Sequence, residues 1–476
     1  MPYLIKNGYV VTMNPTRDIH DGGYVLIGAD GRITDVGDDQ RFSAASYDGV
    51  LDAKGMMVLP GLINMHQHHW YNLFKGLAGG MLLEPWVQNL LLPCIQSLGA
   101  ADLRVAAYLS AMEMIRTGTT CCLNHSVTTT MAEGVAATIE PMAEMGFRQV
   151  FAKDFRCRTA ANAKHPHDPE EEAAYIATLL EKWHGAHNGL IRMALAIEST
   201  AHWIAAGMST ERLIETGYRL ASERALKITS HTSGGTLSHE AGYLHALRKT
   251  GRTDVMHLMQ MGVLDTHWLL IHGINFTDTD IKLMQNASCH AVYTPTSEAI
   301  RGGGIGPWVK LFKAGINCAL GTDGPMVDYS VDMVEQMKAA CFIQNTANLD
   351  PGALSIERAL EMATINAARA LGLENEIGSL EAGKRADIAV FDMAGPHLHV
   401  IHKPISNFVT CGRGADAHTV IVDGQIVFQD RRFTRGPSPK DVIAEATARG
   451  HAVATKAGVL RRAKMQWPEL AARGMQ

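Results

Sequence analysis

Short apolar runs alternate with longer amphipathic stretches over most of the chain, beginning near residue 58. The apolar runs are typical of buried parallel strands, and the longer stretches repeat their apolar residues with the period of a helix. The predicted strands cover residues 58–64, 119–124, 148–153, 191–197, 226–230, 268–271, 289–293 and 317–321. The predicted helices cover residues 100–117, 131–146, 169–186, 209–224, 240–251, 277–286 and 331–346. Eight strands that alternate with helices predict an α/β protein built on a (β/α)8, or TIM, barrel.

Both ends of the chain follow another pattern, in which short strands are separated by turn residues. The predicted strands cover residues 4–12, 23–27, 32–36, 385–392 and 418–428, and the last run is interrupted by the hairpin dipeptide Asp423-Gly424. We predict that residues 1–57 and 377–435 together form one small β domain beside a barrel of residues 58–376. Residues 436–476 are predicted to form a helical tail, because Ser438-Pro439 has the form of an N-cap followed by a first-turn proline.

The composition gives no indication of a nucleic-acid or membrane partner. The 476 residues carry a formal net charge of −5, which gives no electrostatic reason to bind nucleic acid or an anionic membrane. No apolar run is long enough to cross a bilayer, and the first residues lack the basic start and apolar core of a signal peptide. The eight cysteines form no C-x-x-C pair. We therefore expect a cytoplasmic protein that acts on a small molecule.

Side chains that bind metals stand at the ends of several predicted strands. His66 and His68 close the first strand, His231 the fifth, His272 the sixth and Asp323 the eighth. Two histidines one residue apart on a strand point to the same side. A histidine at a strand end is, taken singly, more often a hydrogen-bonded structural residue. Because the active face of a barrel is formed by the C-terminal ends of its strands, the joint arrangement predicts a metal site.

The ligand types restrict the chemistry. Three imidazoles and one carboxylate, from His66, His68, His231 and Asp323, suit one divalent ion with an open position for water. Such an ion lowers the pKa of water towards neutrality and makes it a nucleophile. Asp323 is also predicted to act as the general base, and His272 to polarise the substrate oxygen or to help deprotonate the water. The expected class is metal-assisted hydrolysis.

The motifs around these residues resemble the amidohydrolase superfamily, in order and over essentially the whole chain. They are PGLINMHQH at 60–68, SH at 230–231, IHG at 271–273, GTDG at 321–324 and GSLEAGKRAD at 378–387. The chain is most similar to the branch of atrazine chlorohydrolase, triazine hydrolase and the aminoheterocycle deaminases. The resemblance implies a distorted barrel, a composite β-sandwich from both termini and a homo-oligomer, dimer or larger.

The resemblance also implies one metal ion, usually Zn²⁺ and sometimes Fe²⁺ or Co²⁺. By position, the ligands match His66, His68, His231 and Asp323, and the catalytic histidine matches His272. No lysine ends the fourth predicted strand, which argues against a dinuclear centre bridged by a carboxylated lysine.

One position departs from the deaminase pattern. Deaminases of this family carry a glutamate three residues after the fifth-strand histidine, where it passes a proton to the ring nitrogen or the leaving group. Here that position is Gly234. Glu198, Glu240 and Glu298 are the candidate substitutes, with Glu198 preferred because it ends the fourth strand. Alternatively no acid is needed, because the substrate is an amide, urea or carbamate; this arrangement is similar to the branch that hydrolyses phenylureas or thiocarbamates.

Five residues are candidates for substrate contact, although each has an ordinary structural alternative. Trp86 matches a position that lines the substrate site in relatives, but a tryptophan at such a position is about as often a residue of the hydrophobic core. The others lie at or shortly after predicted strand ends: His125, Glu198, Glu298 and Arg301. Methionines and tryptophans near the mouth of the barrel favour a fairly apolar substrate.

Three functions remain open from the sequence. The leading hypothesis is a mononuclear metal-dependent hydrolase that cleaves a C–N bond of a small amide, urea or carbamate-like compound. The second is an aminoheterocycle deaminase, or a triazine-type hydrolase acting on a ring C–N or C–Cl bond, with a substitute proton donor. The third is a catalytically silent barrel that serves in assembly, which predicts eroded ligands, whereas all five positions are intact.

Overall fold

The structure is a computed structural model, which describes residues 2–38, 47–126, 132–156, 168–200, 204, 209–235 and 243–463. Glu240 and the last part of the predicted tail, residues 464–476, lie outside the described residues.

Five strands precede the barrel. They are β1 (Tyr3–Val11), β2 (Ile19–Ile27), β3 (Ile33–Gly37), β4 (Gly49–Asp52) and β5 (Met56–Pro60). The first half of β1 pairs in parallel with β4, and its second half pairs in parallel with β5. On the other side of β1, β2 pairs antiparallel with β1, and β3 pairs antiparallel with β2.

Eight consecutive strands form the barrel in the described part of the chain. They are β6 (Leu62–Gln67), β7 (Thr119–Ser126), β8 (Arg148–Asp154), β9 (Ile191–Ala196), β10 (Ile228–Thr232), β11 (Trp268–His272), β12 (His290–Tyr293) and β13 (Cys318–Leu320). Neighbouring strands pair in parallel and in sequence order. A bridge between Gln67 and Asp323 links the last strand to the first, since the backbone N–H groups of Thr322 and Asp323 donate to the His66 carbonyl at 3.0 and 2.8 Å. The predicted α/β barrel is confirmed.

The remaining strands join the two ends of the chain. They are β14 (Ile388–Asp392), β15 (Ala417–Val422), β16 (Gln425–Gln429) and β17 (Arg432–Phe433). β14 pairs antiparallel with β5, so both termini contribute to one mixed sheet of nine described strands. The turn at Asp423-Gly424 connects β15 to β16, as the hairpin dipeptide predicts.

The helices surround the barrel and continue beyond it. They are α1 (Leu83–Trp86), α2 (Leu92–Ser97), α3 (Ala100–Arg116), α4 (Ala132–Glu144), α5 (Pro169–Trp183), α6 (Glu211–Arg224), α7 (Tyr243–Thr250), α8 (Asp254–Gln260), α9 (Asp278–Ala287), α10 (Pro295–Arg301), α11 (Trp308–Lys313), α12 (Met333–Asn348), α13 (Ile356–Met362), α14 (Ile365–Leu371), α15 (Pro404–Cys411) and α16 (Pro439–Lys456). A 3₁₀ turn, His69–Phe74, follows β6. Ser438 and Pro439 begin α16 at the predicted place.

One predicted strand is divided in the structure. Residues 58–64 were expected to form the first barrel strand, but the segment breaks at Gly61 between β5 of the mixed sheet and β6 of the barrel. A Cβ atom at Gly61 would lie 2.0 Å from the Thr120 hydroxyl, so only glycine fits where the chain crosses from one sheet to the other. Both strands are buried and apolar, so the sequence shows one continuous apolar run and does not indicate that the chain passes from one sheet to the other.

No single helix of the described chain is long and apolar enough to cross a membrane. The segments Leu83–Ser97 and Ala100–Arg116 meet the length and composition requirement only as a pair, and they are bent by 111° at their junction.

Candidate metal centre and active site

The strand ends bring the five predicted residues together. His66 and His68 come from β6, His231 from β10 and His272 from β11, while Asp323 follows β13. Nε2 of His66 and Nε2 of His68 lie 3.4 and 3.5 Å from Oδ1 of Asp323. The ring of His231 lies 5.1 Å from that of His66 and 5.3 Å from that of His272, centroid to centroid.

The donor atoms fit a divalent transition metal ion. Both ring nitrogens of His66 and Nε2 of His68 are buried and have no hydrogen-bond partner in the described structure. Burying a polar nitrogen without a partner costs free energy, which coordination of a metal ion would recover. Nitrogen and carboxylate atoms of His66, His68, His231 and of His66, His272, Asp323 form two overlapping groups within 4.8 Å. Three imidazoles with one carboxylate are a donor set suited to zinc.

Two of the histidines are oriented by the atoms behind them. Nδ1 of His68 lies 2.6 Å from the backbone carbonyl oxygen of His125. Nδ1 of His231 lies 2.7 Å from Oε1 of Glu198. An acceptor at Nδ1 requires the hydrogen there, so Nε2 keeps its lone pair for a metal ion. Glu198, predicted as a substrate contact, therefore also orients His231.

Burial sets the protonation of the cluster. Burial lowers the pKa of His66 well below its ordinary value and also lowers that of His68, so both rings are neutral, which is the form that binds metal. Burial would also lower the pKa of His231, but the charge of Glu198 outweighs it and the pKa lies above the ordinary value. Burial raises the pKa of Asp323, yet His66, His68 and the Arg301 charge outweigh it and hold that pKa well below its usual range.

A second network approaches the cluster from α10. Oδ2 of Asp323 accepts a hydrogen bond from the Ser297 hydroxyl at 2.6 Å and lies 3.3 Å from the Arg301 guanidinium. The same guanidinium donates to Oε1 of Glu298 at 2.6 Å. Oε1 of Glu298 also lies 2.7 Å from Nδ1 of His272. Glu298 and Arg301 therefore connect the two residues predicted to be catalytic.

The backbone at this face is strained. His272 and Asp323 have φ angles of +77° and +68°, in the left-handed region that residues with a Cβ rarely adopt. Each such residue costs on the order of 1–3 kcal/mol, a cost that proteins concentrate at functional sites. Gly321 completes the close packing, because a Cβ there would lie 2.7 Å from the backbone nitrogen of His66. The sequence Gly-Thr-Asp thus lets the end of β13 reach across to β6.

A cavity opens onto the cluster and is apolar on one side. The apolar wall comes from α1, α2 and the segment between them, with Leu83, Trp86, Val87, Leu91, Leu92 and Ile95. His68, His231, His272 and Asp323 lie on the other side, with Glu198 and Arg301. Of the predicted substrate contacts, Trp86, Glu198 and Arg301 thus line the cavity. His125 and Glu298 are buried outside the lining, against His231 and His272 respectively.

Several cavity residues were not predicted from the sequence, among them Tyr71 and Glu84. Tyr71 is 3% exposed, and its ring lies 4.5 Å from that of His68. Glu84 is 5% exposed and its Oε1 approaches Gly235. The sequence offered one indication for each: Tyr71 follows the ligand pair by three positions, and Glu84 stands two residues before Trp86.

Gly234 borders His272. A Cβ added at this position would meet the His272 ring and Cβ at 3.7 Å, an ordinary van der Waals distance, with no strain at the backbone. The backbone at position 234 would therefore accept a Cβ beside His272, and the chain carries a glycine there. Of the candidate substitutes, Glu198 and Glu298 are held in ion pairs with His231 and with Arg301 and His272, and Glu240 lies outside the described residues.

Comparison with known proteins gives one consistent family. The model of the amidohydrolase family matches residues 57–427. A 5-methylthioadenosine/S-adenosylhomocysteine deaminase of Syntrophobacter fumaroxidans is 32% identical over 435 residues, which cover 90% of this chain and 93% of the relative. A 5′-deoxyadenosine deaminase of Methanosarcina mazei is 30% identical over 436 residues, which cover 90% of this chain and 93% of the relative.

Solved structures agree on the fold. A zinc-bound adenosine deaminase of Xanthomonas campestris superposes with a TM-score of 0.83 at 23% identity, covering 95% of this chain and 98% of the other. A zinc-bound atrazine chlorohydrolase of Arthrobacter aurescens gives 0.83 at 22% identity, covering 94% and 99%. The predicted resemblance is confirmed by these matches. The chain belongs to the amidohydrolase family and is a hydrolase that acts on carbon–nitrogen bonds other than peptide bonds.

Proposed function

We propose that this protein is a mononuclear metal-dependent hydrolase that cleaves the C–N bond of a small amide, urea or carbamate-like compound. His66, His68, His231 and Asp323 would hold one metal ion, and His272 would act on the substrate. The observation that carries the proposal is Gly234, which provides no carboxylate three residues after His231 although the backbone there would accept a Cβ beside His272.

The chemical reason lies in where a proton is needed. Water attack on an aminated aromatic ring requires a proton on the ring nitrogen, because otherwise negative charge builds up there. Attack on a carbonyl instead places the charge on one oxygen, which a Lewis acid and hydrogen-bond donors stabilise without a separate acid. Glu198 and Glu298 serve poorly as that acid, since basic partners hold the pKa of each below its usual range against the raising effect of burial.

In the proposed reaction, the water oxygen bonds to the carbonyl carbon, the C–N bond breaks, and the nitrogen leaves as an amine. When bound, the metal ion supplies a lowered pKa for the water and polarisation of the carbonyl. Oδ1 of Asp323 faces His66 and His68 and completes the ligand set. Nε2 of His272 is the nitrogen left for the cavity, where it can take the proton of the attacking water and return it to the leaving nitrogen.

The cavity indicates which compounds fit. Its wall from α1 and α2 presents aliphatic and indole groups, so it would bury an alkyl or aryl substituent of the substrate. Arg301 and the phenol of Tyr71 lie on the side of Asp323 and offer hydrogen-bond donors to the carbonyl oxygen. The proposed substrate therefore combines a carbonyl C–N bond with an apolar substituent.

The alternative is deamination of an aminated heterocycle. It is favoured by the two sequence relatives named above, which are deaminases, and by the carboxylate of Glu84 in the cavity wall. Ammonia is then the nitrogen product, rather than an organic amine.

Three broader properties complete the proposal. Zinc is the proposed metal, since the donors are mainly imidazole and a structural neighbour contains zinc. A homo-oligomer is proposed because the exposed apolar side chains of Phe342 and Ile443 line one groove beside α16. A cytoplasmic location is proposed in keeping with the seven described cysteines, all of which are free.

A product screen tests the proposal. Zinc-loaded protein would be incubated with aryl ureas, carbamates, anilides, aminopurines, pterins and triazines, and products identified by mass spectrometry. We expect an organic amine, together with an acid or carbon dioxide, from at least one carbonyl substrate. Release of ammonia from a ring amine, with the carbonyl compounds left intact, would establish the deaminase alternative instead.

Gly234→Glu should lower turnover of the carbonyl substrate, by roughly 10-fold or more. The new side chain would begin beside the His272 ring, where its carboxylate would fill cavity space and compete with Nε2 for the proton of the attacking water. Gly234→Gln is the matched control, because it fills the same space without the charge. Both kcat values would be measured at equal metal content. A large gain in Gly234→Glu would mean that the enzyme works as an impaired deaminase.

A further inference from the structure

Glu298 and Arg301 form a buried ion pair beside the cavity. They are 4% and 8% exposed and lie one helical turn apart on α10, the short helix after β12. Leaving either charge unpaired at such burial would be costly, so the pair must act as a unit. The pair also contacts His272 on one side and Asp323 on the other.

The first contact defines which nitrogen of His272 carries the hydrogen. Nδ1 lies 2.7 Å from Oε1 of Glu298 and 2.9 Å from the Thr294 hydroxyl. A carboxylate oxygen accepts hydrogen bonds only, so a nitrogen lone pair at this distance would be repelled. The hydrogen therefore sits on Nδ1, and the lone pair of Nε2 is left for the cavity.

The second contact divides the two oxygens of Asp323. Oδ2 is held by the Ser297 hydroxyl and the Arg301 guanidinium, both from α10. Oδ1 is left to face Nε2 of His66 and Nε2 of His68. Arg301 thus fixes the carboxylate in the rotation that presents one oxygen to the metal position.

We infer that Glu298 and Arg301 are positioning residues, with Glu298 setting the tautomer and direction of His272 and Arg301 holding Glu298 and Asp323 in place. This inference rests on the proposed function for the role of His272, although the geometry it describes does not. It gives Glu298 a different task from the substrate contact expected of it, and explains why α10 carries two opposite charges inside the protein.

The test compares Glu298→Gln, which keeps an acceptor for His272 and Arg301, with Glu298→Leu, which keeps the size but removes the acceptor. Glu172→Leu is the matched control, because Glu172 is likewise 3% exposed and pairs with buried Lys153 at 3.1 Å, away from the cavity. All three proteins would be loaded with zinc and their metal content, Tm, kcat and KM measured.

We expect Glu298→Leu to lose roughly 100-fold in kcat with little change in KM or metal content, and Glu298→Gln to stay within about 10-fold of the wild type. Glu172→Leu should lower Tm without lowering kcat. Adding Arg301→Met to Glu298→Leu should lower kcat further, because it also removes the contact of Arg301 with Oδ2 of Asp323. A kcat for Glu298→Leu that matches Glu172→Leu would overturn the inference.

A spectroscopic measurement separates this inference from the proposed function. In protein labelled with ¹⁵N-histidine, His272 is assigned by the signal lost in His272→Gln. The wild type and Glu298→Gln should show hydrogen on Nδ1 and none on Nε2, whereas Glu298→Leu should show a mixture. If the carbonyl compounds are not hydrolysed but this pattern is found, the positioning stands and only the proposed substrate fails. An unchanged tautomer in Glu298→Leu would overturn the positioning itself.

Discussion

Replacing Asp323 by asparagine should reduce turnover by roughly 10³-fold or more while the fold is retained. The Ser297 hydroxyl and the Arg301 guanidinium both donate towards Oδ2, so an asparagine would place its carbonyl oxygen there. Its amide nitrogen, which only donates, would then face His66 and His68. The site would lose one negative charge and its carboxylate ligand in a single change.

Asp328→Asn is the matched control. Asp328 is also buried and follows the same strand, but burial raises its pKa well above the usual range, which favours the neutral form that an asparagine imitates. It is held by Thr296 and by Gln336, which an asparagine side chain can also satisfy. Asp328→Asn should therefore keep its kcat. Near-normal turnover in Asp323→Asn, at equal metal content, would contradict the proposed centre.

Removing the metal should abolish turnover, and one equivalent of zinc per chain should restore it. Both ring nitrogens of His66 and Nε2 of His68 have no hydrogen-bond partner among the described residues, so the protein alone leaves them unsatisfied. Because the ion binds the folded state, adding it should also raise Tm. Cobalt should restore turnover as well, whereas magnesium, which prefers oxygen ligands, should not.

The measurement combines chelation with dialysis, then elemental analysis and activity along a zinc titration. Full activity at less than a tenth of an equivalent of metal would show that the reaction proceeds without the ion. A plateau at two equivalents would instead show a second functional site.

Much of the site was predictable because barrel geometry converts sequence position into spatial position. Parallel strands end at one face, so ligand-type residues after β6, β10, β11 and β13 had to lie together. The spacing in His66-x-His68 also predicted that these two side chains point to the same side of one strand. The number of barrel strands followed from the alternation of apolar runs with helical stretches.

Other features depend on packing that the hydrophobic pattern does not contain. The break at Gly61 is invisible in an apolar run, because it reflects the approach of Thr120 from another strand. The short helices α8, α10 and α11 have too few turns to show a helical period, and they were not predicted. Helix α10 matters most, since it carries the ion pair that reaches the site.

The pair Glu298 and Arg301 shows how a local signal can be misread. Opposite charges three residues apart are what a helix would bring together, so the spacing contained a clue to the pair. The sequence did not tell that the pair would be buried, or that it would contact His272 and Asp323 from other strands. From the sequence, each residue is therefore predicted on its own to contact the substrate, whereas in the structure the two form one ion pair.

The nature of the substrate depends on Gly234 more than on any residue that is present. The metal ligands, His272 and the barrel are compatible with both carbonyl hydrolysis and deamination. The proton donor distinguishes the two chemistries, and here a glycine stands beside His272 where the family's deaminases carry a glutamate. The apolar wall of the cavity indicates in addition that the substrate carries an apolar substituent.

The most direct test of the account is hydrolysis in ¹⁸O-labelled water of whichever substrate the zinc-loaded protein turns over, with Asp323→Asn as the blank. We expect an unlabelled organic amine from any carbonyl substrate, together with a carboxylic acid that carries one ¹⁸O atom where the substrate is an amide. The carbon dioxide from a urea or carbamate exchanges its oxygens with the water and is not scored. An ¹⁸O atom on a heterocyclic ring, with ammonia or another ring substituent released, would contradict the account.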